Sequence, residues 1–132
     1  MGRKLRGGEV IELLSDLGGG KTTFVRGLAK GFGSRDQVRS PSFTLVNQYK
    51  SEDLTLFHFD FYRLTDPGII KSELDEILQD ADNVVVIEWP KIVENALPTD
   101  RLTIQIDSIS ENRRKFLMTY PSNLSYLLPV ET

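Results

Sequence analysis

Apolar residues in this chain fall into short runs whose spacing predicts strands that alternate with helices. The first run, residues 10–14, begins with Val and Ile and predicts a strand. A glycine-rich stretch follows, and residues 23–32 then predict a helix. Its apolar face is formed by residues that lie four apart, namely Phe24, Leu28 and Phe32.

The middle of the chain predicts two strands, a helix and a further strand. Residues 43–49 and 54–62 are rich in aromatic and β-branched residues and are separated by a polar turn, so they predict a hairpin. Residues 72–78 predict a short helix with Ser72 as its N-terminal cap. Residues 84–87 are Val-Val-Val-Ile, and four consecutive β-branched residues predict a strand that is covered on both faces, as at the centre of an α/β sheet.

Alternation of apolar and polar residues dominates the last third of the chain. Residues 102–106 and 116–120 place apolar side chains at every second position, which predicts an antiparallel hairpin with one face inward. The inward set comprises Leu102, Ile104, Ile106, Phe116, Met118 and Tyr120. An apolar tail at residues 124–130 is expected to pack on the domain.

Composition narrows the class of protein. With 132 residues, 39% of them hydrophobic and 27% charged, the chain is long enough for one domain with a hydrophobic core. The net charge of −3 disfavours strong binding of nucleic acid by the chain alone, because an acidic surface repels phosphate backbones. No apolar run approaches the roughly 20 residues that span a bilayer, so no membrane association is expected. The absence of cysteine excludes disulfides and thiolate metal sites and suits a reducing cytosol.

The stretch SDLGGGKTT, residues 15–23, matches the end of the phosphate-binding pattern G-x-x-x-x-G-K-[ST]. Backbone N–H groups at a helix N-terminus can surround an anion, the lysine can reach the β- and γ-phosphates, and the following threonine can bind Mg²⁺. Ser15 replaces the first glycine, which serves the chain conformation and carries no charge, so we expect an intact loop. The strand before it and the helix after it disfavour a fortuitous glycine-rich turn. The residues expected to bind nucleotide here are Asp16, Leu17, Gly18, Gly19, Gly20, Lys21, Thr22 and Thr23.

Three further stretches follow the loop: SPSFTL (residues 40–45), HFDFYRL (residues 58–64) and IEWP (residues 87–90). Together with the loop they resemble the TsaE (YjeE) family, small bacterial ATPases required for threonylcarbamoyladenosine in tRNA, over about residues 8–106. The resemblance implies a single P-loop NTPase-like domain over residues 1–132. This would be a three-layer α/β fold with a mixed, mainly parallel sheet plus antiparallel hairpins. It also implies ATP and Mg²⁺, weak ATPase activity, a cytoplasmic location, and the TsaD and TsaB proteins as partners.

The resemblance assigns roles to residues outside the loop. Asp60 interrupts an aromatic strand, where a carboxylate is costly unless it is paired or near a metal; the family implies the Mg²⁺ site, and a salt bridge to Arg63 is the alternative. Glu88 ends a buried strand and is expected to position water or assist the metal; a charge leaving the strand into solvent is the alternative. Thr44 is expected to approach Mg²⁺ as a switch residue, or else to be an ordinary strand threonine. Trp89 is expected either to wall the nucleotide site or to pack in the core. The expected catalytic set is Lys21, Asp60 and Glu88, and the expected metal set is Thr22, Thr44, Asp60 and Glu88.

The chain departs from the family pattern at two places. Ser15 stands where the family has a glycine, and nine residues precede Val10, so the N-terminal strand and helix of the family are expected to be shortened or absent. His58, the only histidine, is expected to be a packed or exposed strand residue and not a catalytic one.

The sequence alone leaves other functions to be considered. A small-molecule P-loop kinase would need an acceptor pocket and a lid, and the connector at residues 34–39 is short for a lid. A GTPase is disfavoured because no Asn-Lys-x-Asp stretch occurs. A module that binds nucleotide without hydrolysing it stays open because of Ser15 and the short N-terminal segment.

Overall fold

The computed structural model describes residues 1–15, 21–34, 46–61, 68–89, 93, 95 and 97–128. Its strands are β1 (Val10–Leu14), β2 (Val46–Lys50), β3 (Thr55–Asp60), β4 (Asn83–Glu88), β5 (Leu102–Ser110) and β6 (Arg113–Thr119). Its α-helices are α1 (Lys21–Phe32) and α2 (Gly68–Gln79), and 3₁₀ helices lie at Gly2–Lys4 and Ser122–Leu127.

The described strands form one six-stranded sheet in the order β2-β3-β4-β1-β5-β6. Strands β3, β4, β1 and β5 pair in parallel, whereas β2 is antiparallel to β3 and β6 is antiparallel to β5. The prediction of a mixed, mainly parallel sheet with antiparallel hairpins is therefore confirmed.

Helices cover the two faces of the sheet, which gives three layers. Helix α1 contributes Val25, Leu28, Ala29 and Phe32 to one apolar cluster, together with Val84 and Val86 of β4. Helix α2 contributes Leu74 to a second cluster, together with Val85 and Ile87 of the same strand. Successive side chains of a strand point to opposite faces, so the Val-Val-Val-Ile run is buried on both, as its sequence predicts.

The sequence predicted helix α1 more accurately than helix α2. Helix α1 follows its predicted apolar face and ends at Phe32, where Gly33 adopts a left-handed φ of 92°. Helix α2 begins at Gly68, so the prediction of Ser72 as its N-terminal cap is wrong, and Ser72 lies inside the helix. The apolar stripe begins one turn earlier than predicted, because Ile70 packs on the same cluster as Leu74.

The predicted hairpins are both present with adjusted limits. Strand β3 is shorter than the predicted residues 54–62, and β2 runs one residue beyond the predicted end at residue 49; residues 43–45 and 62 of the two predictions lie outside the described part. In the second hairpin Leu102, Ile104 and Ile106 are buried as expected. Of their predicted partners, Met118 packs against the same cluster, whereas Phe116 and Tyr120 are 44% and 41% exposed.

The C-terminal segment packs as predicted as far as it is described. Leu124 and Leu127, in the last 3₁₀ helix, are buried in the cluster under α1. Neither α1 nor α2, the α-helices of the described residues, is long and apolar enough to cross a membrane.

Candidate functional site

The carboxyl ends of three parallel strands meet at one edge of the sheet. Register places Asp60, the last residue of β3, directly beside Glu88, the last residue of β4, and Glu88 in turn beside Leu13 of β1. Residues 15–20 connect the end of β1 to the start of α1. Ligands of open α/β sheets bind at such an edge, outside the carboxyl ends of the strands.

Both carboxylates lie on the face of the sheet that carries α1. In β4, Glu88 lies on the same face as Val84 and Val86, which pack against α1. In β3, Asp60 shares a face with Leu56, which belongs to the same cluster. The sequence therefore folds so that Asp60 and Glu88 share a face and an edge with the helix that Lys21 begins.

Glu88 is held by a buried hydrogen bond. The Nε2 atom of His58 lies 2.8 Å from Oε2 of Glu88, and the two residues are 0% and 3% exposed. Glu88 is thus buried, and the alternative of a charge that leaves the strand into solvent is wrong.

The buried surroundings indicate which tautomer His58 adopts. A carboxylate accepts hydrogen bonds, so the proton of this contact belongs to Nε2. The Nδ1 atom is buried without a hydrogen-bond partner among the described residues. A proton on Nδ1 would be an unsatisfied buried donor, whereas a proton on Nε2 is used in the contact with Glu88.

The sequence analysis expected His58 to be a strand residue, which is confirmed, but it missed the contact with Glu88. One signal was available in the sequence. His58 and Asp60 are two residues apart, so both side chains lie on one face of β3, the face of the candidate site. Recognising the contact required the pairing of β3 with β4, whose ends lie about 30 residues apart.

The other two residues at the strand ends differ in their surroundings. Asp60 is half-buried at the end of β3. Trp89 follows β4 in the left-handed region, with φ of 58°, and packs against the cluster on the α2 face. Such a conformation costs a bulky residue about 1–3 kcal/mol, so the chain turns under strain directly after Glu88. The contact supports core packing for Trp89, and its place beside a nucleotide stays a prediction.

Ser15 does not impose the strain that a missing glycine would suggest. It follows β1 and is half-buried. Among the described residues, Trp89 is the one non-glycine residue with a positive φ, so Ser15 lies outside the region that requires glycine. The start of the loop therefore accommodates serine without a backbone penalty at this position.

The remaining predicted residues divide into two groups. Lys21 and Thr22 are the first residues of α1, and Thr23 is exposed in its first turn. The others lie outside the described residues, namely Asp16, Leu17, Gly18, Gly19, Gly20 and Thr44, together with the alternative partner Arg63.

The carboxylates at the edge suit a magnesium ion that also binds phosphate. Within the described ranges, no group of three or more His, Asp or Glu side chains is placed to hold a metal. Mg²⁺ prefers oxygen ligands, and next to a nucleotide it takes one or two carboxylates and completes its shell with phosphate and water. Asp60 and Glu88 are two such oxygen donors on adjacent strands.

A further buried carboxylate lies away from this edge. Glu12, in the middle of β1, alternates with Ile11 and Leu13 and so faces away from α1. It forms an ion pair with Arg101, which precedes β5. The pairing accounts for this buried charge without a ligand.

Comparison with known proteins gives consistent matches. Residues 1–116 match the family model described as "Threonylcarbamoyl adenosine biosynthesis protein TsaE". A TsaE protein of Bacillus subtilis is 39% identical over 119 residues, covering 88% of this chain and 72% of that protein. One from Aquifex aeolicus is 39% identical over 113 residues, covering 84% and 77%. The crystal structure of YdiB from Bacillus subtilis superposes with a TM-score of 0.75 at 32% identity, covering 96% of this chain and 78% of that one. The P-loop NTPase-like fold class expected from the sequence is thereby confirmed.

Proposed function

The chain belongs to the TsaE family of threonylcarbamoyl adenosine biosynthesis proteins, as its sequence motifs indicate, and on this premise we propose that it binds and slowly hydrolyses ATP with Mg²⁺. One observation carries the proposal most directly. Asp60 and Glu88 lie side by side at the carboxyl edge of the parallel sheet, on the face of the helix that begins with Lys21 and Thr22.

Binding of the triphosphate is assigned to the loop and the start of α1. Residues 18–22 would surround the phosphates with backbone N–H groups, helped by the partial positive charge of the helix N-terminus. Lys21 would stabilise the charge that develops on the γ-phosphate. Thr23, which is exposed in the first turn of α1, would lie near the α-phosphate.

Glu88 is assigned the positioning of the attacking water. Its carboxylate can accept a hydrogen bond from water and orient it toward the γ-phosphate. The hydrogen bond from His58 fixes one oxygen of Glu88 and so limits the orientations of the side chain. Trp89 is proposed to help exclude bulk water from this end of the site.

The oxygens proposed to hold Mg²⁺ come from Thr22, Thr44, Asp60 and Glu88. When bound, the ion would neutralise charge on the phosphates. The two threonine hydroxyls and the two carboxylates are oxygen ligands, which Mg²⁺ prefers.

Partners are proposed to complete the activity. The sequence shows no evident intrinsic arginine finger, so we expect slow turnover by the chain alone and faster turnover with partners. The proposed partners are the TsaD and TsaB proteins, and ATP turnover would reset their complex after tRNA modification at position 37. The chain itself would not transfer the carbamoyl group.

Phosphate release tests the proposed hydrolysis. Wild-type protein with ATP and Mg²⁺ is expected to release phosphate slowly, and Lys21→Ala is expected to reduce the rate about 100-fold or more, because a group that stabilises developing charge is lost. Lys71→Ala, at an exposed lysine of α2, is the matched control and is expected to keep the wild-type rate. Equal release from wild type and Lys21→Ala would favour a module that binds nucleotide without hydrolysing it. Transfer of the γ-phosphate to an added acceptor in place of water would favour a kinase.

Association with partners tests the pathway. We expect a complex of TsaB and TsaD to retain the chain in a pull-down, with a difference between samples with and without ATP and Mg²⁺. Failure to associate under either condition would contradict the proposed partnership while leaving the ATPase proposal intact.

A further inference from the structure

His58 is a polar side chain that lies fully buried in the middle sheet layer, next to the candidate site. A buried polar group costs free energy unless its hydrogen bonds are made, and an apolar side chain would fill the same space without that cost. The hydrogen bond that His58 does make is directed at a carboxylate of the site. Packing alone therefore does not account for a histidine at this position.

The contact between His58 and Glu88 runs diagonally across two parallel strands. Register pairs His58 with Val86 and Asp60 with Glu88, so the histidine lies two residues further from the carboxyl edge than the glutamate. The hydrogen bond therefore draws the carboxylate of Glu88 back along the sheet and away from Asp60. Because like charges repel, this direction also separates two carboxylates that the strands place side by side.

The backbone of Glu88 is fixed independently of His58. Its carbonyl accepts a hydrogen bond of 3.1 Å from the N–H of Phe61, so the pairing of β3 with β4 continues to the ends of both strands. With the backbone fixed, a glutamate can still rotate about its side-chain bonds. The contact of 2.8 Å between Nε2 of His58 and Oε2 of Glu88 restricts this remaining freedom.

We propose that His58 is a positioning residue for ATP hydrolysis, which holds Oε2 of Glu88 so that Oε1 accepts a hydrogen bond from the attacking water. This inference rests on the proposed function, which assigns that water to Glu88. His58 itself contacts neither nucleotide nor water and acts through Glu88. Loss of His58 is therefore expected to slow the chemical step, while the binding of ATP stays with the loop and the start of α1.

Kinetics of three His58 variants test the position of the donor. Glutamine places an N–H close to Nε2 of histidine, asparagine places one close to Nδ1, and leucine has none. A misplacement of about 1 Å can cost on the order of 100-fold in rate, so His58→Leu and His58→Asn are expected to lower kcat by about 10- to 100-fold. The KM for ATP is expected to stay unchanged in both. His58→Gln is expected to restore most of kcat.

Val84→Ala is the matched control for lost stability. Val84 is buried on the same strand and face as Glu88, and its substitution removes packing against α1 while the hydrogen bond from His58 is kept. This variant is expected to have the wild-type kcat at a temperature at which all the variants are folded.

The contact can also be observed without nucleotide, because His58 is the only histidine of the chain and its ring signals are therefore unambiguous. ¹⁵N NMR of the untagged free protein near neutral pH distinguishes a protonated ring nitrogen from an unprotonated one. We expect a proton on Nε2 in the wild type, and a shifted Nε2 signal in Glu88→Gln. A ring without a proton on Nε2, or a signal that Glu88→Gln leaves unchanged, would overturn the inference.

Three kinetic results would overturn the inference and leave the proposed function standing. They are a kcat of His58→Leu at or above the wild-type value, an equal fall for His58→Leu and His58→Gln, and a KM for ATP that rises as kcat falls. A fall of the same size in Val84→Ala would likewise assign the effect to stability and overturn it. A wild-type protein that releases no phosphate from ATP would overturn the inference together with the proposed function.

Discussion

At the scale of single residues, the hydrogen bond between His58 and Glu88 joins two strands and fixes a carboxylate at the candidate site. His58→Leu would leave the buried carboxylate of Glu88 without this donor. Loss of a hydrogen bond to a charged group costs about 1.5–3 kcal/mol, so the free energy of unfolding is expected to fall by about that amount. Equilibrium urea unfolding measures the change.

Two further variants separate the hydrogen bond from the change in side-chain volume. His58→Gln keeps an N–H donor on the same strand and is expected to lose less stability than His58→Leu. Gln48→Leu, at an exposed position of β2, is expected to change the free energy of unfolding by less than about 0.5 kcal/mol. Equal stability of His58→Leu and wild type would show that the contact contributes nothing to the fold.

At the scale of elements, α1 contains a glycine in its middle, Gly27. A Cβ atom built on Gly27 meets no atom of the described residues within 4 Å, so these residues give no sign of the close packing that a mid-helix glycine can indicate. Gly27→Ala is therefore expected to raise the free energy of unfolding by about 0.5–1 kcal/mol, because alanine loses less conformational entropy in a helix. Thermal or urea unfolding checks the sign.

Gly31 in the same helix provides the matched control. A Cβ atom there would lie 3.3 Å from the Cα of Gly2, in the 3₁₀ helix that packs on α1. Gly31→Ala is therefore expected to be less stabilising than Gly27→Ala, or destabilising. If the two variants gained equally, the contact between the 3₁₀ helix and α1 would be too loose to restrict the side chain.

The elements also show what local patterns can and cannot predict. Apolar residues four apart predict helix α1, and the run of β-branched residues predicts strand β4. Both patterns can be recognised in the sequence because they reflect which side chains are buried. For α2, which begins at Gly68, Ser72 offers a misleading cap signal inside the helix. The contact of His58 with Glu88 depends on which strands are neighbours and on their register, and no local pattern in the sequence encodes either.

At the scale of the whole molecule, the proposed ligand should act on folding as well as on chemistry. A ligand that binds only the folded state stabilises it by mass action, by about 2.7 kcal/mol at a concentration 100 times its dissociation constant. Mg²⁺–ATP is therefore expected to raise the unfolding temperature of wild-type protein in proportion to the logarithm of its concentration. Lys21→Ala is expected to show a much smaller rise, and a rise of equal size would contradict the assigned role of Lys21.

The two ends of the described chain are joined by a polar network around Glu9, which is buried just before β1. Its carboxylate accepts hydrogen bonds from the backbone N–H groups of Arg6 and Gly7 and from the hydroxyl of Tyr126, each at 2.7 Å. The guanidinium of Arg6 also lies 3.9 Å from the centre of the Tyr126 ring. The segment before the sheet is thereby fastened to the last 3₁₀ helix.

This network makes the stability of the whole molecule sensitive to alkaline pH. Burial, and then the hydrogen bond to Glu9, raise the pKa of Tyr126 from 10.0 to about 12. Because the folded state favours the protonated phenol, its contribution is fully present below pH 10 and is lost as pH rises toward 12. The stability difference between wild type and Tyr126→Phe, measured by urea unfolding from pH 9 to 12, is therefore expected to shrink. Tyr120→Phe, which changes an exposed tyrosine, is the control: it shows how alkali affects stability at a tyrosine that makes no contact with Glu9. A difference between wild type and Tyr126→Phe that stays constant across this range would mean that the phenol titrates alike in the folded and unfolded chains.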